Sequence, residues 1–170
     1  MERNGAVTFQ GNPLTLVGSE VTKGMKAPEF TLLKNDLTEA GLSDFKGKVL
    51  IIAAVPSLDT HVCEMETKRF DEEVARLGDN VQLLVVSMDL PFAQARWIKD
   101  AGVKNVVALS DHRYADFGMG YGVLIKELRL LARSVFIVDT EGVVRYTQLV
   151  REVGNEPDYN EVLDAAKKLA

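Results

Sequence analysis

Hydrophobic and polar positions alternate from the start of the chain. Val7 and Phe9, then Leu14 and Leu16, alternate with polar residues on either side of Gly11-Asn12-Pro13, which predicts a small β-hairpin turning at that triplet. The pattern changes at Lys48-Val49-Leu50-Ile51-Ile52-Ala53-Ala54-Val55, a continuous apolar run of strand length that fits a central strand covered on both faces. Beyond it, Cys63, Thr67, Phe70, Val74 and Leu77 fall at offsets of four, seven, eleven and fourteen, the spacing of one helix face, with Asp59 or Thr60 as the cap. Val81 to Val86 repeats the buried-strand pattern. A helix follows from Pro91, a residue suited to a first turn, to about Ala101, where Gly102 stops it.

Val106 to Leu109 and Val135 to Val138 read as further strands, and Thr140-Glu141-Gly142 is a turn before Val143 to Leu149, so the last two strands are expected to be antiparallel. Tyr159, Val162, Leu163, Ala166 and Leu169 then give a terminal amphipathic helix. Strands and helices that alternate and end in a hairpin and a helix predict an α/β protein with a mixed central sheet and flanking helices, and a thioredoxin-like fold satisfies that order. Without repeats, low-complexity segments or a linker, residues 1–170 are expected to form a single domain, with 1–18 as an N-terminal β-hairpin extension.

A formal net charge of −5 leaves no basic field to neutralise phosphates or hold an anionic membrane, so neither nucleic acid nor membrane is expected as a partner. The most apolar stretch, Val49 to Pro56, is far short of the ~20 residues that span a bilayer, and Met1-Glu2-Arg3-Asn4-Gly5 opens no hydrophobic signal region; a cytoplasmic protein is expected. One cysteine cannot form an internal disulfide, which agrees with a reducing compartment, and with two histidines it cannot supply a structural zinc site. No metal or other cofactor is expected.

Cys63 falls in the first turn of the helix that follows the central strand, where unpaired backbone N–H groups and the helix dipole favour an anion, so a thiolate would be stabilised there. A small buried core residue is the other reading of a free cysteine on an apolar face. Thr60 is a helix cap, a contributor to chemistry, or both. Pro56 taken alone is a strand terminator, and Arg133, which interrupts the apolar stretch Leu130 to Val138, marks a strand end or a functional group. His112 reads as a loop or cap residue, and Glu64/Glu66 and Asp71/Glu72/Glu73 as solvated helix faces.

Pro56-Ser57-Leu58-Asp59-Thr60-His61-Val62-Cys63 has Pro, Thr and Cys at the spacing of the peroxiredoxin active-site loop, P-x-x-x-T-x-x-C. Within that superfamily the chain resembles the bacterial thiol peroxidase subgroup, through this segment and through Asp89-Leu90-Pro91-Phe92-Ala93-Gln94 and Leu109-Ser110-Asp111-His112-Arg113. Tyr121-Gly122-Val123-Leu124-Ile125 and Leu131-Ala132-Arg133 continue the likeness, which covers nearly the whole chain. The resemblance implies a thiol-dependent peroxidase that reduces hydrogen peroxide or organic hydroperoxides. Cys63 would be the peroxidatic cysteine, Thr60 would hydrogen-bond its sulfur and the peroxide, Pro56 would screen the pocket from water, and Arg133 would contact thiolate and peroxide. It also implies a homodimer.

The magnitudes say why several groups are needed. A thiol of pKa ~8.5 is about 3% ionised at pH 7, so lowering that value by ~2.5 units gains roughly thirtyfold in thiolate. A Brønsted coefficient of ~0.5 returns nearly twentyfold of it, so the larger effect must fall on the oxygen that departs, which Arg133, Thr60 and helix N–H groups are placed to stabilise under this resemblance. His61, where the subgroup more often has Pro, is expected on the solvated surface.

One position departs from the subgroup. The helix opened by Asp89-Leu90-Pro91 usually carries a second, resolving cysteine, and Ile98 occupies its place. A Cys63 sulfenic acid would then need an external thiol such as thioredoxin or a low-molecular-weight thiol. A peroxide-sensing redox regulator acting through Cys63 oxidation is the alternative, and a thioredoxin-like binding module with an inert cysteine is a third.

Overall fold

The computed structural model describes all 170 residues. The central apolar run forms strand β5 (Val49–Ala54), every residue of which is buried. It pairs in parallel with β6 (Val81–Ser87), and β6 pairs in parallel with β7 (Val106–Ser110). Helix α1 (His61–Val74) connects β5 to β6, and α2 (Pro91–Ala101) connects β6 to β7. Gly102 ends α2 with φ of +70°, the left-handed conformation that a glycine adopts at a helix C-terminus without strain. On the other side of β5, β10 (Ser134–Val138) runs antiparallel to it, and β11 (Val144–Leu149) runs antiparallel to β10. Two short strands, β3 (Thr31–Leu33) and β4 (Glu39–Gly41), complete a seven-stranded sheet of order β11-β10-β5-β6-β7-β3-β4.

Side chains alternate across β5 and divide the core in two. Val49, Ile51 and Ala53 point to a cluster that takes Cys63, Phe70 and Val74 from α1 and Val162, Leu163 and Ala166 from α4 (Tyr159–Lys167). Leu50, Ile52 and Ala54 point to the opposite cluster, which includes Phe117 of the short α3 (Asp116–Gly120) and Tyr121, stacked at 4.2 Å between ring centroids. Helices cover the first face. The second is covered by α3 together with a separate four-stranded sheet, a layer the apolar pattern does not announce.

That smaller sheet grows from the N-terminal hairpin, β1 (Glu2–Phe9) and β2 (Asn12–Val17), and continues through β8 (Leu124–Ile125) and β9 (Leu130–Leu131). The turn is displaced from the expected Gly11-Asn12-Pro13. Phe9 pairs with Asn12, so Gln10 and Gly11 form the two-residue turn, both with positive φ as a type I′ turn has. Pro13 therefore lies inside β2, opposite Thr8. Thr8 uses its own N–H and C=O on Arg151 and Val153, so the amide hydrogen missing from Pro13 removes no bond between the two strands.

Candidate active site

The site lies where three pieces of chain meet at the C-terminal end of β5. Pro56 follows β5 and is buried, and it begins a loop whose shape is set by hydrogen bonds to Asp89. The Asp89 carboxylate accepts from Ser57 Oγ at 2.7 Å, Leu58 N at 2.8 Å and Ser87 Oγ at 2.7 Å. Thr60 then caps α1. Its hydroxyl donates to Ser57 O at 3.0 Å and accepts from Cys63 N at 3.4 Å, which settles the choice between Asp59 and Thr60 as cap. Cys63 is the third residue of the helix and fully buried, with its backbone among the N–H groups that make a helix start favourable to negative charge.

Arg133 reaches the sulfur from the start of β10, the strand paired with β5. The apolar stretch Leu130 to Val138 is two strands in different sheets: β9 belongs to the small sheet, β10 to the large one, and Arg133 sits between them. At 2% exposure it is a buried cation, and each nitrogen is used. Nη1 donates to Cys63 Sγ at 3.4 Å and to Glu66 Oε2 at 2.7 Å, while Nε and Nη2 donate to Val153 O at 3.1 and 3.0 Å. Burial pulls the guanidinium pKa down, but the charges of Glu66 and Cys63 outweigh it and leave the value raised. Arg133 is held as a cation.

Glu66 is, with Asp71, one of two acidic residues that sequence reading misplaces by expecting them on solvated helix faces. It lies on a buried face of α1 with Cys63 and Thr67, fully removed from solvent, and burial pushes its pKa up to about 7 against the opposing pull of Arg133. The signal is positional: Glu66 stands one turn after Cys63 and beside Thr67 on the face that carries the apolar residues. Asp71 is also buried, accepting from Lys104 N and Asn105 N and so tying α1 to the start of β7. Glu64, half-exposed and paired with Lys68 at 2.8 Å, behaves as a solvated face predicts.

A pocket of about 200 Å³ opens beside Arg133 and is walled by Pro56, Thr60 and Val62 on the helix side. Phe9, Ile125 and Leu130 of the small sheet form much of the remainder. The structure thus brings Pro56, Thr60, Cys63 and Arg133 together. His61 is exposed at the pocket rim, and His112 is exposed elsewhere, with its N–H on Ser110 Oγ. Ile98 lines a shallow groove with Asp36, Val106 and Ala108, which shares no residue with the pocket beside Arg133. No group of three or more His, Cys, Asp or Glu side chains is arranged to hold a metal ion, and no helix is long and apolar enough to cross a membrane.

An embedded sulfur at a helix start, faced by a guanidinium that also lines a small pocket, can act as a nucleophile on a small electrophile whose leaving atom becomes negative. Comparison with known proteins points the same way. Residues 22–163 match the Redoxin family. The thiol peroxidase of Bacillus subtilis is 55% identical over 163 residues, covering 96% of this chain and 97% of that protein. That of Halalkalibacterium halodurans is 53% identical, covering 95% and 97%. Among solved structures, a peroxiredoxin-like protein from Aquifex aeolicus superposes with a TM-score of 0.91 at 48% identity, covering 98% of both chains. A thiol peroxidase from Chromobacterium violaceum gives 0.84 at 25% identity, covering 95% of both. With a thioredoxin-like sheet, its helices and matches that run nearly end to end, the chain belongs to the Redoxin family and, within it, to the thiol peroxidases.

Proposed function

We propose that this thiol-dependent peroxidase works as one domain, residues 1–170, with Cys63 as the nucleophile and Arg133, Thr60 and Pro56 completing the site. The Cys63 thiolate donates an electron pair to the terminal oxygen of a hydroperoxide, the S–O bond forms as O–O breaks, and the departing alkoxide or hydroxide leaves as alcohol or water after taking up a proton. Arg133 stabilises the negative charge on that oxygen together with first-turn N–H groups, and the Thr60 hydroxyl adds to it by turning its one hydrogen from Ser57 O to the peroxide. Pro56 keeps water from the sulfur.

The product is a Cys63 sulfenic acid. With no second cysteine in the chain, an external thiol attacks that sulfur, expels water and forms a mixed disulfide, which a second thiol equivalent reduces. Thioredoxin or a low-molecular-weight thiol fits this role. A homodimer and a cytoplasmic setting belong to the same proposal and rest on the family resemblance and the cysteine usage. Peroxide sensing is the second reading, favoured by the same single cysteine.

The contact of Arg133 Nη1 with Cys63 Sγ at 3.4 Å, out of solvent, carries the assignment. Stopped-flow consumption of hydrogen peroxide and an alkyl hydroperoxide, with and without a thiol reductant, tests it. Cys63→Ser should retain the fold and lose turnover, since the oxygen is a far poorer nucleophile at neutral pH. Arg133→Lys keeps the charge but loses the planar fork, and should lower the second-order rate markedly. Residual turnover in the serine variant would remove Cys63 from the role, and a wild-type protein oxidised once but not recycled by any thiol would favour the sensor.

A further inference from the structure

The short segment Arg151-Glu152-Val153-Gly154 follows β11 and packs against the N-terminal hairpin. Thr8 N donates to Arg151 O at 2.7 Å and Val153 N donates to Thr8 O at 2.8 Å, so the segment is stitched to β1 beside the hairpin turn. The carbonyl that follows, Val153 O, accepts both Nε and Nη2 of Arg133. The N–H on the far side of that same peptide unit, Gly154 N, donates to Glu152 Oε2 at 3.2 Å. A peptide is planar, so a group that holds its N–H also fixes the direction of its C=O.

We propose that Glu152 is a positioning residue for peroxide reduction, orienting the Val153–Gly154 peptide so that its carbonyl aims the Arg133 guanidinium at Cys63. Besides Gly154, the carboxylate accepts from Gly11 N at 2.9 Å, Thr8 Oγ1 at 3.1 Å and Gln10 N at 3.3 Å. Four donors converge on two oxygens, an arrangement that a carboxylate satisfies and a carboxamide, with one oxygen replaced by a donor, does not. These bonds, that to Gly11 foremost and then that to Gly154, hold the Glu152 pKa below the usual carboxylate range, so the acceptor remains charged wherever the enzyme works.

The hairpin thereby acquires a purpose beyond covering the sheet. It supports Arg133 from two directions: through β2, β8 and β9, which lead directly into Arg133, and through Glu152 and Val153, which hold the guanidinium from the opposite side.

The inference rests on Arg133 acting in the chemical step, and a double-mutant cycle separates the two claims. Second-order rates of Cys63 oxidation by hydrogen peroxide are measured for wild type, Glu152→Ala, Arg133→Lys and the double variant, with thermal unfolding as a check on folding. Because small misplacements of a catalytic group are costly, Glu152→Ala should slow wild type roughly fivefold to twentyfold. In the Arg133→Lys background, which lacks the fork that grips Val153, the same change should alter the rate by less than about twofold. Thr8→Val, which removes one donor to the carboxylate, should show a smaller slowing with the same dependence on background, and it stands in if Glu152→Ala does not fold. A wild-type rate for the Glu152 variant, or equal slowing in both backgrounds, overturns the proposal. An Arg133→Lys enzyme reacting at the wild-type rate removes the premise instead, and is recognised from that single variant.

Discussion

Glu66 and Arg133 form an ion pair of 2.7 Å with both partners out of solvent, and the second oxygen of Glu66 has no hydrogen-bond partner. A carboxylate in that position is costly to ionise, which gives the fold a pH dependence of definite sign. The Glu66 pKa is about 7 in the folded protein against 4.5 for the free side chain, so the folded state binds the proton more tightly. Its contribution to stability is fully present below about pH 4.5 and is lost as pH rises through about 7. Denaturant unfolding of wild type and Glu66→Gln across pH 4–8 should show wild type losing, relative to the variant, on the order of 3 kcal/mol. A difference between the two proteins that does not vary with pH would show that Glu66 keeps one charge state throughout.

Thr60 combines a structural bond with a position at the pocket wall, and two substitutions separate these. Loss of the cap in Thr60→Val should cost about 1 kcal/mol of stability, while Thr60→Ser should change it by only a few tenths. At a temperature where both variants are fully folded, the valine enzyme should react with peroxide at least tenfold more slowly and the serine enzyme within about threefold of wild type. Equal rates in the two variants would confine Thr60 to capping.

Oxidation chemistry follows from the burial of the single thiol. One equivalent of peroxide, without reductant, should leave the monomeric chain carrying one added oxygen on Cys63, and excess peroxide should add a second to give sulfinic acid. A bridge between two copies would need Cα atoms roughly 4.4–6.8 Å apart, which sulfurs recessed at two helix starts do not reach without local unfolding. Intact mass measurement decides between these products. A dominant disulfide-linked dimer would replace the external-thiol route, and an unmodified cysteine would refute Cys63 as the nucleophile.

The helical and parallel parts of this fold were legible because their signals are long. Continuous apolar runs gave β5 and β6, a face of four-residue spacing gave α1, and Pro91 with Gly102 bounded α2. Strands β3, β4, β8 and β9 escaped because two or three residues carry no period. The hairpin turn was displaced because positive φ at Gln10 is chosen by the pairing of Phe9 with Asn12 and not by the identity of Gln10. Spacing and resemblance picked out Pro56, Thr60, Cys63 and Arg133. Glu66 was read as solvated because acidic side chains on a helix usually are, and its burial depends on a cation seventy residues from Cys63 in sequence. Glu152 gave no signal, since its function lies entirely in which backbone amides it meets.

Cys63 and Arg133 also differ in when they are made. A ribosome adding roughly 5–20 residues per second needs several seconds to advance the seventy positions between them, and longer to reach Val153. Through that interval β5 and α1 exist as nascent chain while the sulfur still lacks its guanidinium. If Arg133 acts as proposed, full reactivity toward peroxide arrives only after most of the chain has been translated, and a truncated product ending before Arg133 should carry a cysteine that reduces peroxide poorly.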